Sequence, residues 1–230
     1  MLNPRSRQVQ RELANPYEMH RTLSRALPDH AVHLRRDQAG AAGLLYRVDV
    51  HPQSGRLALL VQSQACPDWS FLTPTGVDPE RSQSYLLAAD PWQEEENPAV
   101  KAVALPFVAG QQLHFRLRAN PTKRLSASPG HKGKRVGLYT PQEQIVWLQR
   151  KAAEGGCRLL QVQSSRDEKI KVEGAIPRNE ERHKVELFAV QFDGLVQITE
   201  PEQFRVMLHQ GIGSGKAFGF GLLSVAPVGR

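Results

Sequence analysis

An α+β chain made of two tandem copies of one motif is what this sequence predicts, on three observations. Residues 113–225 alternate strand and helix patterns in the order strand, helix, strand, strand, helix, strand. The first half shows helix, strand, strand and a possible further strand, the same order without its beginning. The 230 residues are 40% apolar and 23% charged, ordinary globular composition that lets each half bury a core. The order βαββαβ is the ferredoxin-like motif. The expectation is two ferredoxin-like domains, residues 1–90 and 108–230, joined by a linker at 91–107, with the first domain lacking most of its opening strand.

Each element has a local reason. Asn15 suits an N-cap, Pro16 the first helical position and Glu18 the third position of a capping box, so a helix runs from there to about Leu27, before Pro28. Residues 44–50 and 56–64 read as strands around the turn at 51–55, and 84–89 as a further strand. Residues 91–98, with Glu94, Glu95 and Glu96, have linker composition. Along 113–119, Leu113, Phe115 and Leu117 point one way and His114, Arg116 and Arg118 the other. Residues 141–154 form a helix with Ile145, Leu148 and Ala152 as its stripe, closed by Gly155 and Gly156. Residues 158–163 and 183–199 are extended, 201–210 a short helix and 218–225 a last strand.

The net charge of +7 is uneven. Residues 1–107 carry 11 basic and 12 acidic side chains, net −1, and residues 108–230 carry 19 and 11, net +8. Seven basic residues and no acidic one lie between Phe107 and Gln142. Two readings stand on charge alone: a polyanion-binding half, or a solvated basic face. No uncharged apolar run approaches the ~20 residues of a membrane span, so no membrane association is expected. The N-terminal residues lack a secretory h-region, and Cys66 and Cys157 are isolated. The expectation is therefore a cytoplasmic protein with reduced thiols.

Two constellations carry chemistry. Tyr17 and His20 lie three residues apart on the first turns of a helix, along the border of the Met19, Leu23, Ala26 and Leu27 stripe. His20 suits general acid–base work near neutral pH. A half-buried helix histidine beside a packing tyrosine is the competing reading. The second is the glycine-rich run 211–221, where Gly213 and Gly215 allow close approach of backbone N–H groups to phosphates and Lys216 adds charge. A tight packed turn explains it equally well. Gln210 and Ala217 exclude a nucleotide-binding P-loop, and Ile212 and Lys216 exclude a hydrolase nucleophile elbow. The eight histidines are scattered, His30 and His33 sharing only a loop, so no metal or other cofactor is expected.

The segments 15–24 (NPYEMHRTLS), 115–124 (FRLRANPTKR), 133–136 (GKRV) and 211–224 (GIGSGKAFGFGLLS), in this order and spacing, resemble the CasE endoribonucleases of type I-E CRISPR systems. The resemblance implies two ferredoxin-like domains and metal-independent cleavage of CRISPR precursor RNA at the base of the repeat hairpin. It implies His20 as the catalytic histidine, Tyr17 as its assistant, and 2′-OH attack leaving a 2′,3′-cyclic phosphate and a 5′-OH. The implied partners are the repeat hairpin or processed crRNA and the backbone subunits of the type I-E surveillance complex. RNA contacts are expected from Arg116, Arg118, Lys123, Arg124, Lys132, Lys134, Arg135, Gly213, Gly215 and Lys216, with a hairpin at 169–184 (Lys169, Lys171, Arg178, Arg182) clasping the stem. Two departures stand out. Leu2-Asn3-Pro4 directly follows Met1, where the family has a strand, so a truncated start or a damaged first domain with a bared helix face is expected. Arg25 stands where some relatives have lysine, and arginine cannot act as a base. The rival functions are a non-catalytic subunit that holds an RNA hairpin and a basic scaffold without RNA specificity.

Overall fold

A computed structural model describes residues 1–28, 43–72, 84–87, 96–104, 106–125, 133, 135–173 and 184–229, with backbone alone at 166–173 and 184–186. The chain is α+β and divides into two units, Met1–Ala104 and Leu105–Arg230.

The first unit holds helices α1 (Arg7–Ala14) and α2 (Pro16–Ser24) and the antiparallel pair β1 (Leu45–Val50) and β2 (Leu57–Gln62). Helix α1 was not expected, because Val9 and Leu13, though four apart on one face, are its only large apolar residues. It nevertheless buries Val9 and Glu12. The Asn15 side chain accepts the Tyr17 N–H at 3.2 Å, as an N-cap should. The other arm of the capping box is not made: the Asn15 N–H bonds Arg11 O, and Glu18 pairs with Arg21 at 2.9 Å. Helix α2 stops at Ser24 rather than near Leu27, because Ala26 and Leu27 bond the carbonyls three residues back, a 3₁₀ tightening.

Leu2 bridges both Leu57 and Leu86, so residues 1–3 fill the place between those two segments. The expected bared helix face is in fact covered. Met19 and Leu23 are fully buried with Leu2, Val9, Tyr46, Leu72 and Tyr85. The expected strand at 84–89 is reduced to the bridge at Leu86, with 88 and 89 outside the described residues.

The second unit is a four-stranded antiparallel sheet of β3 (Gln112–Ala119), β6 (Cys157–Glu173), β7 (Lys184–Ile198) and β8 (Leu223–Pro227), in the order β6-β7-β3-β8. Helices α3 (Pro141–Glu154) and α4 (Pro201–Gln210) have the bounds their proline starts and glycine stops predict. The Thr140 hydroxyl accepts the Glu143 N–H at 3.3 Å and donates to the Glu143 carboxylate at 3.0 Å. The buried stripe of α3 is Gln144, Trp147, Leu148 and Ala152, shifted from the expected one by the bulk of Trp147, which stacks on Phe192 at 6.2 Å. Leu113, Phe115 and Leu117 face this core as their alternation predicts.

Strand β6 runs far past the expected 163 and pairs to Glu173↔Lys184 with β7, which keeps close to its expected 183–199. The stretch after β3, expected as a loop, contains a two-stranded ribbon of β4 (Thr122–Arg124) and β5 (Arg135–Gly137). Strand β8 begins at Leu223, not 218. A 3₁₀ turn at Lys216–Phe218 and left-handed backbone at Gly219 and Gly221 interrupt the extended run before it.

Candidate active site and nucleic-acid interface

His20 and Tyr17 are both half-buried on α2. The helix is held at three levels. Asn15 caps its start, the Tyr46 hydroxyl donates to Pro16 O at 2.5 Å, and the Thr22 hydroxyl donates to Glu12 at 2.7 Å. Glu12 is itself buried and also accepts Gln8 at 2.8 Å and the Tyr85 hydroxyl at 2.6 Å. Burial, then the Glu12 carboxylate, push the Tyr85 phenol well above its ordinary range. The Tyr46 ring lies beneath His20, with ring centroids 6.4 Å apart and planes 20° apart. The Arg25 guanidinium lies over the Phe71 ring at 4.5 Å.

The second unit contains a cleft of about 620 Å³ between the β4–β5 ribbon, the end of α3 and the glycine-rich loop. Lys123, Arg124, Arg135, Gly213 and Lys216 of the sequence candidates line it. Arg150 and Lys151 join them. Those two were missed because charges on a helix's last turn look like ordinary solvated residues. Arg124 and Arg135 are exposed and directly opposite each other in the ribbon. Like charges facing across strands destabilise a ribbon, so the pair favours an anion between them. Gly213 has φ of +83°, and a Cβ there would meet the Trp147 ring at 3.0 Å. Gly221, at φ +88°, would press a Cβ to 2.8 Å from Ile212 O, so the loop is also a tightly packed turn.

Other candidates fall elsewhere. Gly215 packs beside Phe220 and does not line the cleft, and neither do Arg116 and Arg118. No acid lies near the basic stretch in sequence, and tertiary pairing brings acids to part of it. Arg116 binds Asp193 at 2.7 Å, and Lys123 binds Glu143 at 3.2 Å. The Thr140 hydroxyl and then Lys123 hold the Glu143 carboxyl below its ordinary range. Arg118 is half-buried with its guanidinium 5.7 Å from the Phe220 ring, rather than turned to solvent like Arg116. Lys132, Lys134, Arg178, Arg182, His30 and His33 lie outside the described residues, as do the side chains of Lys169 and Lys171. Among the described residues no group of three or more His, Cys, Asp or Glu side chains forms a metal cluster, and no helix is long and apolar enough to cross a membrane.

The profile of a family described as "CRISPR associated protein" matches residues 1–227. The chain belongs to that family. This CRISPR-associated chain is 40% identical over 233 residues to the CRISPR-associated endoribonuclease Cse3 of Thermus thermophilus, covering 99% of this chain and 97% of that protein. A solved structure of Cse3 bound to 19 nt RNA matches it with a TM-score of 0.77 and 39% identity, over 98% of this chain and 97% of that one. A subunit of a CRISPR RNA-guided surveillance complex, in a pre-nicking state, matches with a TM-score of 0.64 and 26% identity, over 99% and 97%.

Proposed function

We propose that this CRISPR-associated chain is a metal-independent endoribonuclease of the cytoplasm that cleaves CRISPR precursor RNA at the base of its repeat hairpin. It then stays on the processed crRNA as a subunit of a surveillance complex. The full-length similarity to an endoribonuclease carries this reading. The fold behind it is a tandem of ferredoxin-like domains. In the second unit the antiparallel order β6-β7-β3-β8 is the order that motif requires, with both helices packed on one face. In the first, residue 2 lies between the residue-57 and residue-86 segments, where the motif's opening strand belongs.

The reaction needs little. The ribose 2′-oxygen attacks the adjacent phosphorus, the bond to the 5′-oxygen breaks, and one proton leaves the 2′-OH while another reaches the 5′-oxygen. His20 moves one of these protons and Tyr17 assists on the same helix face. The basic cleft of the second unit, with Lys123, Arg124, Arg135, Gly213 and Lys216, neutralises the phosphates of the RNA. The outlying candidates Arg116, Arg118 and Gly215 contribute at most secondary contacts.

The test uses the repeat RNA encoded beside the protein's gene, in EDTA. His20→Ala should lower the cleavage rate by ~10²–10⁴-fold, the usual worth of acid–base help, with hairpin affinity within about two-fold. Replacing the 2′-OH at the cut by hydrogen should stop cleavage and spare binding. If His20→Ala lost affinity as fast as rate, the protein would be a holder of RNA with a structural histidine. Loss of cleavage on EDTA treatment would refute metal independence.

A further inference from the structure

We propose that Tyr46 is a positioning residue for His20, steadying the imidazole with its ring and the first turn of α2 with its hydroxyl. The proposal rests on the reading of His20 as the proton-transfer residue. Tyr46 sits on β1 opposite Val61 and is only 1% exposed. Packing alone would be served by phenylalanine there, because a buried hydroxyl costs free energy unless it is hydrogen-bonded. The hydroxyl spends its bond on one particular group, the carbonyl oxygen of Pro16, at 2.5 Å.

That carbonyl is also the acceptor that the i to i−4 pattern of an α-helix assigns to the His20 N–H. A carbonyl has two lone pairs and accommodates both donors. Tyr46 thus grips the peptide group from which the His20 backbone hangs. Its ring then lies nearly parallel to the imidazole, 20° off and 6.4 Å between centroids, within the range of offset aromatic pairs. One buried side chain therefore contacts the proposed catalytic residue through its backbone support and beside its ring. Asn15 and Thr22, the other anchors of α2, hold the Tyr17 N–H and the Glu12 carboxylate respectively.

A reactive group misplaced by ~1 Å loses on the order of 10²-fold in rate. The decisive experiment compares Tyr46→Phe, Tyr46→Leu and His20→Ala in single-turnover cleavage of the repeat hairpin at saturating protein. Hairpin affinity and the urea midpoint are measured alongside. Tyr46→Phe keeps the ring and should lose about ten-fold in rate, and Tyr46→Leu, losing both contacts, should lose on the order of 10²-fold. Both should bind the hairpin within about two-fold of the parent, since a purely structural tyrosine would lower the urea midpoint and leave the rate of the folded protein alone. Parent-rate cleavage by folded Tyr46→Phe overturns the proposal whatever Tyr46→Leu does, and so does a rate loss matched by lost affinity. If His20→Ala also cleaves at the parent rate, the reading of His20 fails, and the role of Tyr46 goes with it. If His20→Ala is inactive while Tyr46→Phe is unimpaired, only the positioning role is lost.

Discussion

The unit Met1–Ala104 has a net charge of −1 and seals two charged side chains inside, Glu12 and Arg47, whereas Leu105–Arg230 carries +8 and, among the described residues, buries no charge. In the first unit Glu12 accepts three donors and Arg47 grips Asp49 through two nitrogens, at 2.8 and 2.9 Å. In the second, Arg116, Lys123, Lys151 and Arg205 make surface pairs with Asp193, Glu143, Glu154 and Glu202. Breaking a buried network strands desolvated groups, while an exposed pair is worth ~0–1 kcal/mol. The first unit is built to hold geometry. The second is built to exchange weak internal partners for phosphates. Net charge consequently overstates the cations on offer, since part of the +8 is already engaged.

The sharpest challenge to that contrast is a carboxylate removed from each unit. Glu12→Ala orphans Gln8, Thr22 and Tyr85 and should cost about 3 kcal/mol in urea unfolding, as several buried donors lose their acceptor. Glu143→Ala, at the exposed start of α3, should leave the urea midpoint of the second unit nearly unchanged. Equal effects would erase the distinction between a geometric and a binding half.

Binding should divide along the same line. Arg124→Ala with Arg135→Ala removes two cations from the cleft and should flatten the log–log salt dependence of hairpin binding by about one to two units. The urea midpoint of the free protein should hold or rise, because the two charges face each other across the ribbon. A parent-like salt slope would move the RNA off the cleft. Arg116→Ala sharpens the point, since Asp193 already occupies that guanidinium. Its slope change should stay below about half a unit for want of a full phosphate contact.

The smallest expected effect is alkaline. The Tyr85 phenol is raised in the folded protein, so it stays protonated where an unfolded tyrosine, near ~10, would ionise. Its contribution is therefore intact below that pH and declines as pH rises beyond it, toward the folded value. Urea titrations from pH 8 to 11 should show a falling limb that Tyr85→Phe makes shallower. An identical limb in the variant would assign the decline to other groups.

Local chemistry made much of the architecture readable in advance. Thr140-Pro141 and Gly155, Pro201 and Gly211 bracket α3 and α4 because caps and breakers act within a turn of the residues that encode them. The alternation of Leu113, Phe115 and Leu117 named the inward face of β3, and Asn15-Pro16 marked the start of the helix carrying Tyr17 and His20. Tertiary structure decided what no local pattern encodes. Helix α1, with two large apolar residues, owes its burial to α2 and the core behind it rather than to periodicity. The polar ribbon β4–β5 flanks the turn signal Pro129-Gly130 in sequence, but its three-residue strands are too short and too polar to show an alternation. Arg116 meets Asp193, 77 residues away, only because the β3–β7 register sets them opposite. Tyr46 reaches Pro16 across 30 residues. Caps, periods and turns are short-range energies written in neighbouring residues, whereas pairing, charge neutralisation and the support of a reactive side chain depend on distances that exist only once the chain has packed.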